Sequence, residues 1–288
     1  MMTPDLRAKI EALGNDLSSE MLGGTQAMMS AINNGMAAGT DVTRDLAYGP
    51  DERHRLDVFT QGSPAGAPVL VYVHGGGFVM GDKHTEGSAF YSNIGDFAAR
   101  MGWVGVTMTY RLAPAHRFPS GVEDMTLFVD WLRDNIGQHG GDPAKIVLMG
   151  QSAGASHIAN YLAHASDHAK GMAGAAFLSG IYDVGTCAHN DFNKAYYGEE
   201  TSGWGAASAL AGLLTSEVPM QFSVAEFDPD DFQKQAAQLV EQWMASKGRL
   251  PEMHYLSGHN HLTPGLSIGS SQQETERMVA GFVQRVTG

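Results

Sequence analysis

Short apolar runs bounded by glycine or proline alternate along this chain with stretches whose apolar residues recur every three or four positions. The runs fall at Arg55–Phe59, Val69–Val73, Trp103–Tyr110, Lys145–Met149, Ala173–Leu178, Met220–Ala225 and Glu252–Leu256. Strands buried on both faces inside a parallel sheet read this way. Between them, Val122, Met125, Val129, Leu132 and Ile136, and later Phe232, Ala236, Leu239, Val240 and Trp243, place apolar groups on one face of a helix. The alternation predicts an α/β fold with a mostly parallel central sheet and helices on both faces. Residues 5 to about 36 precede the first strand and carry helical spacing at Leu6, Ile10, Leu13, Leu17 and Met21, then at Met28, Met29, Ile32 and Met36, with a break expected near Gly23-Gly24. Gly180 to Val218 carries no strand signal and is too long for an ordinary α/β loop, so an insertion over one end of the sheet is expected there.

A chain of 288 residues with 43% hydrophobic and 17% charged residues has the composition of an ordinary globular protein. Its formal net charge is −13 and no two Lys or Arg residues adjoin, which disfavours a nucleic-acid or anionic-membrane partner. The single cysteine, Cys187, has no internal partner for a disulfide, and no apolar stretch reaches signal-peptide or membrane-span length. A cytoplasmic protein is expected.

Two pentapeptides match G-x-S-x-G: Gly150-Gln151-Ser152-Ala153-Gly154 and Gly265-Leu266-Ser267-Ile268-Gly269. Only the first follows a strand and opens a helix, Ser156 to His164, and that context lifts a serine hydroxyl out of the sheet at a strained turn. Ser267 follows Thr263-Pro264 and reads as a loop or helix N-cap serine. A serine hydroxyl needs a base, a carboxylate to orient it and donors for the oxyanion. The strand Val69–Val73 runs into His74-Gly75-Gly76-Gly77-Phe78. The amides of Gly76 and Gly77, with that of Ala153, are the candidate oxyanion donors, each worth on the order of 3 kcal/mol of barrier.

The motifs His74-Gly75-Gly76-Gly77, Tyr110-Arg111-Leu112-Ala113-Pro114 and Gly150-Gln151-Ser152-Ala153-Gly154, in that order, resemble the α/β-hydrolases of the hormone-sensitive-lipase-like carboxylesterase group. The likeness runs from about residue 42 to the C-terminus. It implies an α/β-hydrolase fold, ester hydrolysis on small to medium acyl groups, a small-molecule substrate, and no cofactor or metal. It also implies a small helical cap formed by residues 1–40 ahead of a catalytic domain at 41–288, with 180–218 as a further cap insertion. The length of the chain and that insertion also resemble the arylformamidase and feruloyl-esterase-like groups, which leaves an amide hydrolase with the same triad as the alternative. A ligand receptor on an inactive hydrolase fold is a third reading, and it predicts a missing triad member.

In this fold the carboxylate and then the histidine follow the serine. The strand Met220–Ala225 leads into Glu226-Phe227-Asp228-Pro229-Asp230-Asp231. The resemblance implies Asp228, directly before the proline, with Glu226, Asp230 and Asp231 as rivals; the last two also suit the first turn of a helix at 232–246. Of the two histidines in Ser257-Gly258-His259-Asn260-His261-Leu262, the resemblance implies His261 as the base, at the start of the last helix, and His259 as a surface or supporting residue. His254, His259 and His261 lack the helix spacing of a zinc site. His74 is expected to orient the glycine loop, Arg111 to form a buried ion pair, and Pro119 to start a helix. Phe78 and Trp204 are the candidate acyl-pocket residues among several aromatics that include Tyr182, Tyr196 and Tyr197.

Overall fold

The computed structural model describes residues 2–288. Eight strands form one sheet: β1 (Thr40–Ala47), β2 (Arg55–Gln61), β3 (Ala67–Val73), β4 (Val104–Met108), β5 (Gly141–Gln151), β6 (Gly174–Leu178), β7 (Met220–Phe227) and β8 (Glu252–Asn260). They lie in the order β1-β2-β4-β3-β5-β6-β7-β8. β1 and β2 pair antiparallel, as do β2 and β4, and every later pairing is parallel.

Alternate side chains of the central strands feed two cores. Val69, Val71 and Val73 of β3 and Ile146 and Leu148 of β5 face one side, where they meet Phe128 and Leu132 of helix Ser120–Asn135, Ile158 of helix Ala153–His164 and Leu239 of helix Asp230–Lys247. Leu70, Tyr72, Val147 and Met149 face the other, against Ile94 and Phe97 of helix Ser92–Arg100 and Val279, Phe282 and Val283 of helix Glu274–Thr287. Burial on both faces explains why these strands read as continuous apolar runs.

β1 was absent from the sequence expectation. Its residues alternate between half-buried and exposed with none buried, because it is an edge strand with only β2 beside it. Such a strand carries no apolar run to read. The break between the N-terminal helices also differs from expectation. The helices span Pro4–Ala12 and Ser19–Ser30, so Gly23-Gly24 lies inside the second one. Gly14, at φ +79, ends the first, and the Ser18 hydroxyl accepts the Met21 amide at 3.2 Å to begin the second. A Cβ on Gly24 would stand 2.8 Å from a Leu13 methyl, so this glycine serves close packing between the helices. No helix among the described residues is long and apolar enough to cross a membrane.

The expected ion pair of Arg111 is present: its Nε donates to the buried Asp124 at 2.6 Å and its terminal nitrogen to Glu123 at 2.8 Å. Pro119 directly precedes helix Ser120–Asn135. The segment 180–218 folds into helices Asp191–Tyr197 and Leu210–Thr215 and a 3-10 turn over Thr201–Ala207.

Candidate active site

The carboxyl ends of the parallel strands meet at one edge of the sheet, where ligands bind in open α/β folds. The residue directly after each of these strands is His74 for β3, Ser152 for β5, Ser179 for β6, Asp228 for β7 and His261 for β8. Ser152 has φ 55° and ψ −122°, a conformation rare for a residue with a side chain and costing about 1–3 kcal/mol. Space forces the two flanking glycines. A Cβ on Gly150 would lie 2.6 Å from the Gly154 carbonyl group, and one on Gly154 would lie 2.1 Å from the Val73 oxygen. The Ser152 amide is held by the Leu178 carbonyl at 2.9 Å, and helix Ala153–His164 begins at the next residue.

Asp228 is buried and fully engaged. One carboxylate oxygen accepts the Ser179 hydroxyl at 2.6 Å and the Ala225 amide at 2.7 Å, and the other accepts His261 Nδ1–H at 2.6 Å. That bond fixes the imidazole with its proton on Nδ1 and a free lone pair on Nε2. His261 Nε2 is buried and has no hydrogen-bond partner among the described residues. The Phe232 ring packs on the imidazole at 4.2 Å between centroids.

Ser152 and His261 line the same cavity, of about 300 Å³. Gly75, Gly76, Gly77 and Ala153 line it too. Among the described residues the amides of Gly76, Gly77 and Ala153 donate to no acceptor, and all three residues line the cavity that Ser152 lines. The loop needs its glycines. Gly76 has φ +118, and a Cβ there would lie 2.0 Å from the Met80 carbonyl oxygen. Phe78 also has positive φ, at 69°, and is held by a stacked Tyr196 ring at 4.4 Å.

His74 lies behind the loop, where its Nδ1–H donates to the Gly75 carbonyl at 2.6 Å and its ring stacks on Tyr110. His157, on the helix after Ser152, is buried against Tyr110, Phe78 and Tyr196, and neither ring nitrogen has a partner among the described residues. Burial pushes the His74 imidazole down to about 4, and burial with the neighbouring His74 pushes His157 down to about 3. Both stay neutral in the folded protein where the unfolded chain takes up a proton near pH 6.5. The unfolded state therefore binds more protons between pH 6.5 and about 4, and stability falls as pH falls through that window. The expected loss is roughly 1.4 kcal/mol per pH unit for each imidazole. Urea denaturation at several pH values measures it. His157→Leu should flatten the slope, and an unchanged slope would remove His157 from the account.

The rival residues stand elsewhere, most of them with other partners. Ser267 is buried in the turn that follows the short helix Thr263–Leu266, so of the two expected placements, loop or N-cap, it takes the loop, and its hydroxyl donates to the Pro264 carbonyl at 3.2 Å. Ser267→Ala should leave hydrolytic activity within about twofold of wild type and cost about 1 kcal/mol of stability; activity assay and urea denaturation together check this. Glu226 accepts the Gly258 amide, the Ser257 hydroxyl at 3.0 Å and Arg7 at 2.5 Å. Asp230 is exposed in the first turn of its helix. His259 is buried with Nδ1 beside the Thr263 hydroxyl at 3.1 Å, and His254 lies by Glu252 at 3.4 Å. His261 itself precedes the short helix Thr263–Leu266 and not, as expected, the last helix.

Of the two expected pocket residues, Phe78 lines the cavity and Trp204 does not. The Trp204 indole N–H donates to the Gly198 carbonyl at 3.1 Å, and its ring packs on Tyr197 and His189 away from the cavity. Leu17, Leu22 and Gln26 from the N-terminal helical segment line the cavity, as do Ile181, Asn190, Phe192 and Asn193 from the 180–218 segment. Several supporting residues carry no sequence signal. Gln151 donates to the His261 carbonyl and accepts from Tyr72. Asn260 accepts the Leu262 and Thr263 amides at 3.2 Å and donates to Thr25 at 2.7 Å, which ties the histidine loop to the N-terminal helices.

A family model described as alpha/beta hydrolase fold matches residues 70–264, more than half of the chain. The chain belongs to the α/β-hydrolase fold family. This hydrolase is 37% identical over 113 residues to Esterase LipC of Mycobacterium tuberculosis, a match covering 38% of this chain and 27% of the relative. It is 39% identical over 92 residues to Carboxylesterase NlhH of the same organism, covering 30% of this chain and 26% of the relative. The matched part thus spans about a quarter of the length of these relatives. A hyperthermophilic esterase from the archaeon Pyrobaculum calidifontis superposes on the hydrolase with TM-score 0.74 at 19% identity, covering 100% of this chain and 99% of the other. An esterase of the bacterial hormone-sensitive lipase family does so with TM-score 0.73 at 20% identity, covering 100% and 98%. At these identities the likeness is one of fold. The hormone-sensitive-lipase-like resemblance read from the three motifs is borne out.

Proposed function

We propose that this hydrolase is a serine carboxylesterase acting on small to medium acyl esters. The observation that carries the reading is the convergence on one cavity of a strained, half-buried Ser152, the buried His261–Asp228 pair and three unpaired amides. Ser152 Oγ attacks the ester carbonyl as His261 Nε2 takes its proton. The carbonyl oxygen becomes an oxyanion within reach of the amides of Gly76, Gly77 and Ala153, and Asp228 stabilises the imidazolium without itself taking a proton. The C–O bond to the alcohol then breaks, His261 returns the proton to the leaving oxygen, and the acyl group remains on Ser152. Water activated by the same imidazole releases the acid. Residues 2–40 and 180–218 act as the cap, since both contribute to the cavity wall; Met1, the first residue of the expected cap segment, lies outside the described residues.

A volume of about 300 Å³ lies at the small end of ligand pockets and supports compact substrates. Printed names among the relatives, an esterase and a carboxylesterase, support the reaction class. Matched p-nitrophenyl acyl esters and anilides test it. Ester turnover exceeding anilide turnover is the expected result, and faster anilide turnover would replace the esterase reading with an amidase.

A further inference from the structure

The cavity wall carries two carboxylates, Asp82 and Asp231, and no Lys or Arg. Asp82 is exposed at the mouth, whereas Asp231 is half-buried in the first turn of helix Asp230–Lys247. Its place is set from both sides. One neighbour, Phe232, packs on the His261 ring, and Asp228 stands three residues before it. One Asp231 oxygen, Oδ2, accepts the Ala188 amide at 3.0 Å, which anchors the segment that carries Asn190, Phe192 and Asn193 into the same wall. The other oxygen has no hydrogen-bond partner among the described residues. Burial raises the Asp231 carboxyl above its ordinary value, with the Ala188 amide and Lys234 opposing more weakly. A carboxylate so placed gains most from a cation brought into the cavity.

We propose that the site prefers esters that carry a positively charged nitrogen, with the free oxygen of Asp231 meeting the cation and the Phe192 and Phe232 rings flanking it. This rests on the esterase reading for its substrate class. A helix-terminal carboxylate that only clamps Ala188 and favours the helix dipole would affect every ester alike. A cation-binding carboxylate discriminates by charge at constant shape, and the two aromatic rings favour the same charge.

Binding separates this inference from the reaction. In Ser152→Ala protein, calorimetry compares two isosteric pairs: butyrylcholine with its neutral carbon analogue, which places the charge on the alcohol side, and ethyl ε-aminocaproate with ethyl heptanoate, which places it on the acyl side. In at least one pair the cation should bind about 10-fold tighter or better. Adding Asp231→Asn, which keeps an acceptor for the Ala188 amide and removes the charge, should bring that ratio to within about threefold while the neutral ester's affinity stays put. Equal affinities within both pairs, or a preference that survives Asp231→Asn, would overturn the inference. Wild-type turnover of the neutral esters is the separate arm. Ser152-dependent hydrolysis without a charge preference sinks the inference alone, and a charge preference lost in Asp231→Asn without any ester hydrolysis sinks the esterase reading alone.

Discussion

Ser152→Ala is expected to lower kcat/KM for a short-chain ester by about 10,000-fold or more while leaving the thermal midpoint nearly unchanged. The two halves of this result have separate causes. Activity is lost because no other hydroxyl occupies the elbow between β5 and helix Ala153–His164. Stability is kept because the Ser152 hydroxyl makes no hydrogen bond among the described residues, so its removal orphans nothing, and alanine bears the same strain at φ 55°. Residual hydrolysis above the uncatalysed rate would come from the free amides. Steady-state kinetics and a melting curve suffice. Retention of more than a few per cent of activity would remove Ser152 from the role of nucleophile.

The second large effect belongs to Asp228→Asn, expected to lower kcat by about 1,000- to 10,000-fold with little change in KM. The argument turns on which asparagine atom faces which partner. The Ala225 amide, 2.7 Å from Oδ2, can only donate, so the asparagine carbonyl must stay there. The amide NH2 is then turned toward His261 Nδ1, where Asp228 accepted at 2.6 Å. Nδ1 becomes an acceptor, the proton moves to Nε2, and the imidazole presents the wrong tautomer to Ser152. Substrate binding does not involve Asp228, which is buried beneath the histidine, so KM is spared. A loss of less than tenfold would show that another carboxylate orients the base.

How far the sequence carried depends on what each residue does. The central strands were legible because burial on both faces leaves an apolar run, as in Val69–Val73 and Ile146–Met149. β1 was not, since an edge strand with no buried residue has no such run. Ser152, Gly76 and Gly77 were readable because backbone geometry demands small residues at fixed offsets, and Asp228 and His261 because chain order in this fold narrows the choice. Trp204 was misplaced: an indole in a segment without regular periodicity reveals its apolar character but not which wall it faces, and this one is spent on Gly198 and Tyr197. Ser179, Gln151 and Asn260 were invisible for another reason. Each makes a hydrogen bond to a residue distant in sequence, Ser179 to Asp228, Gln151 to the His261 carbonyl and Asn260 to Thr25, and no local pattern marks such a bond. Asp231 was read as a helix-terminal charge and a rival for the triad carboxylate, not as a residue of the pocket wall. Its opening onto the cavity is a property of the folded wall.

The central claim, that Ser152 is acylated during turnover, is tested most directly by an organophosphonate ester that mimics the tetrahedral intermediate and stays bonded to the attacking oxygen. Intact mass followed by peptide mapping should show one adduct per chain, carried by Ser152, with activity falling in step with its formation and no adduct on Ser152→Ala. An adduct on Ser267 or elsewhere, or full activity after stoichiometric labelling, would contradict the account.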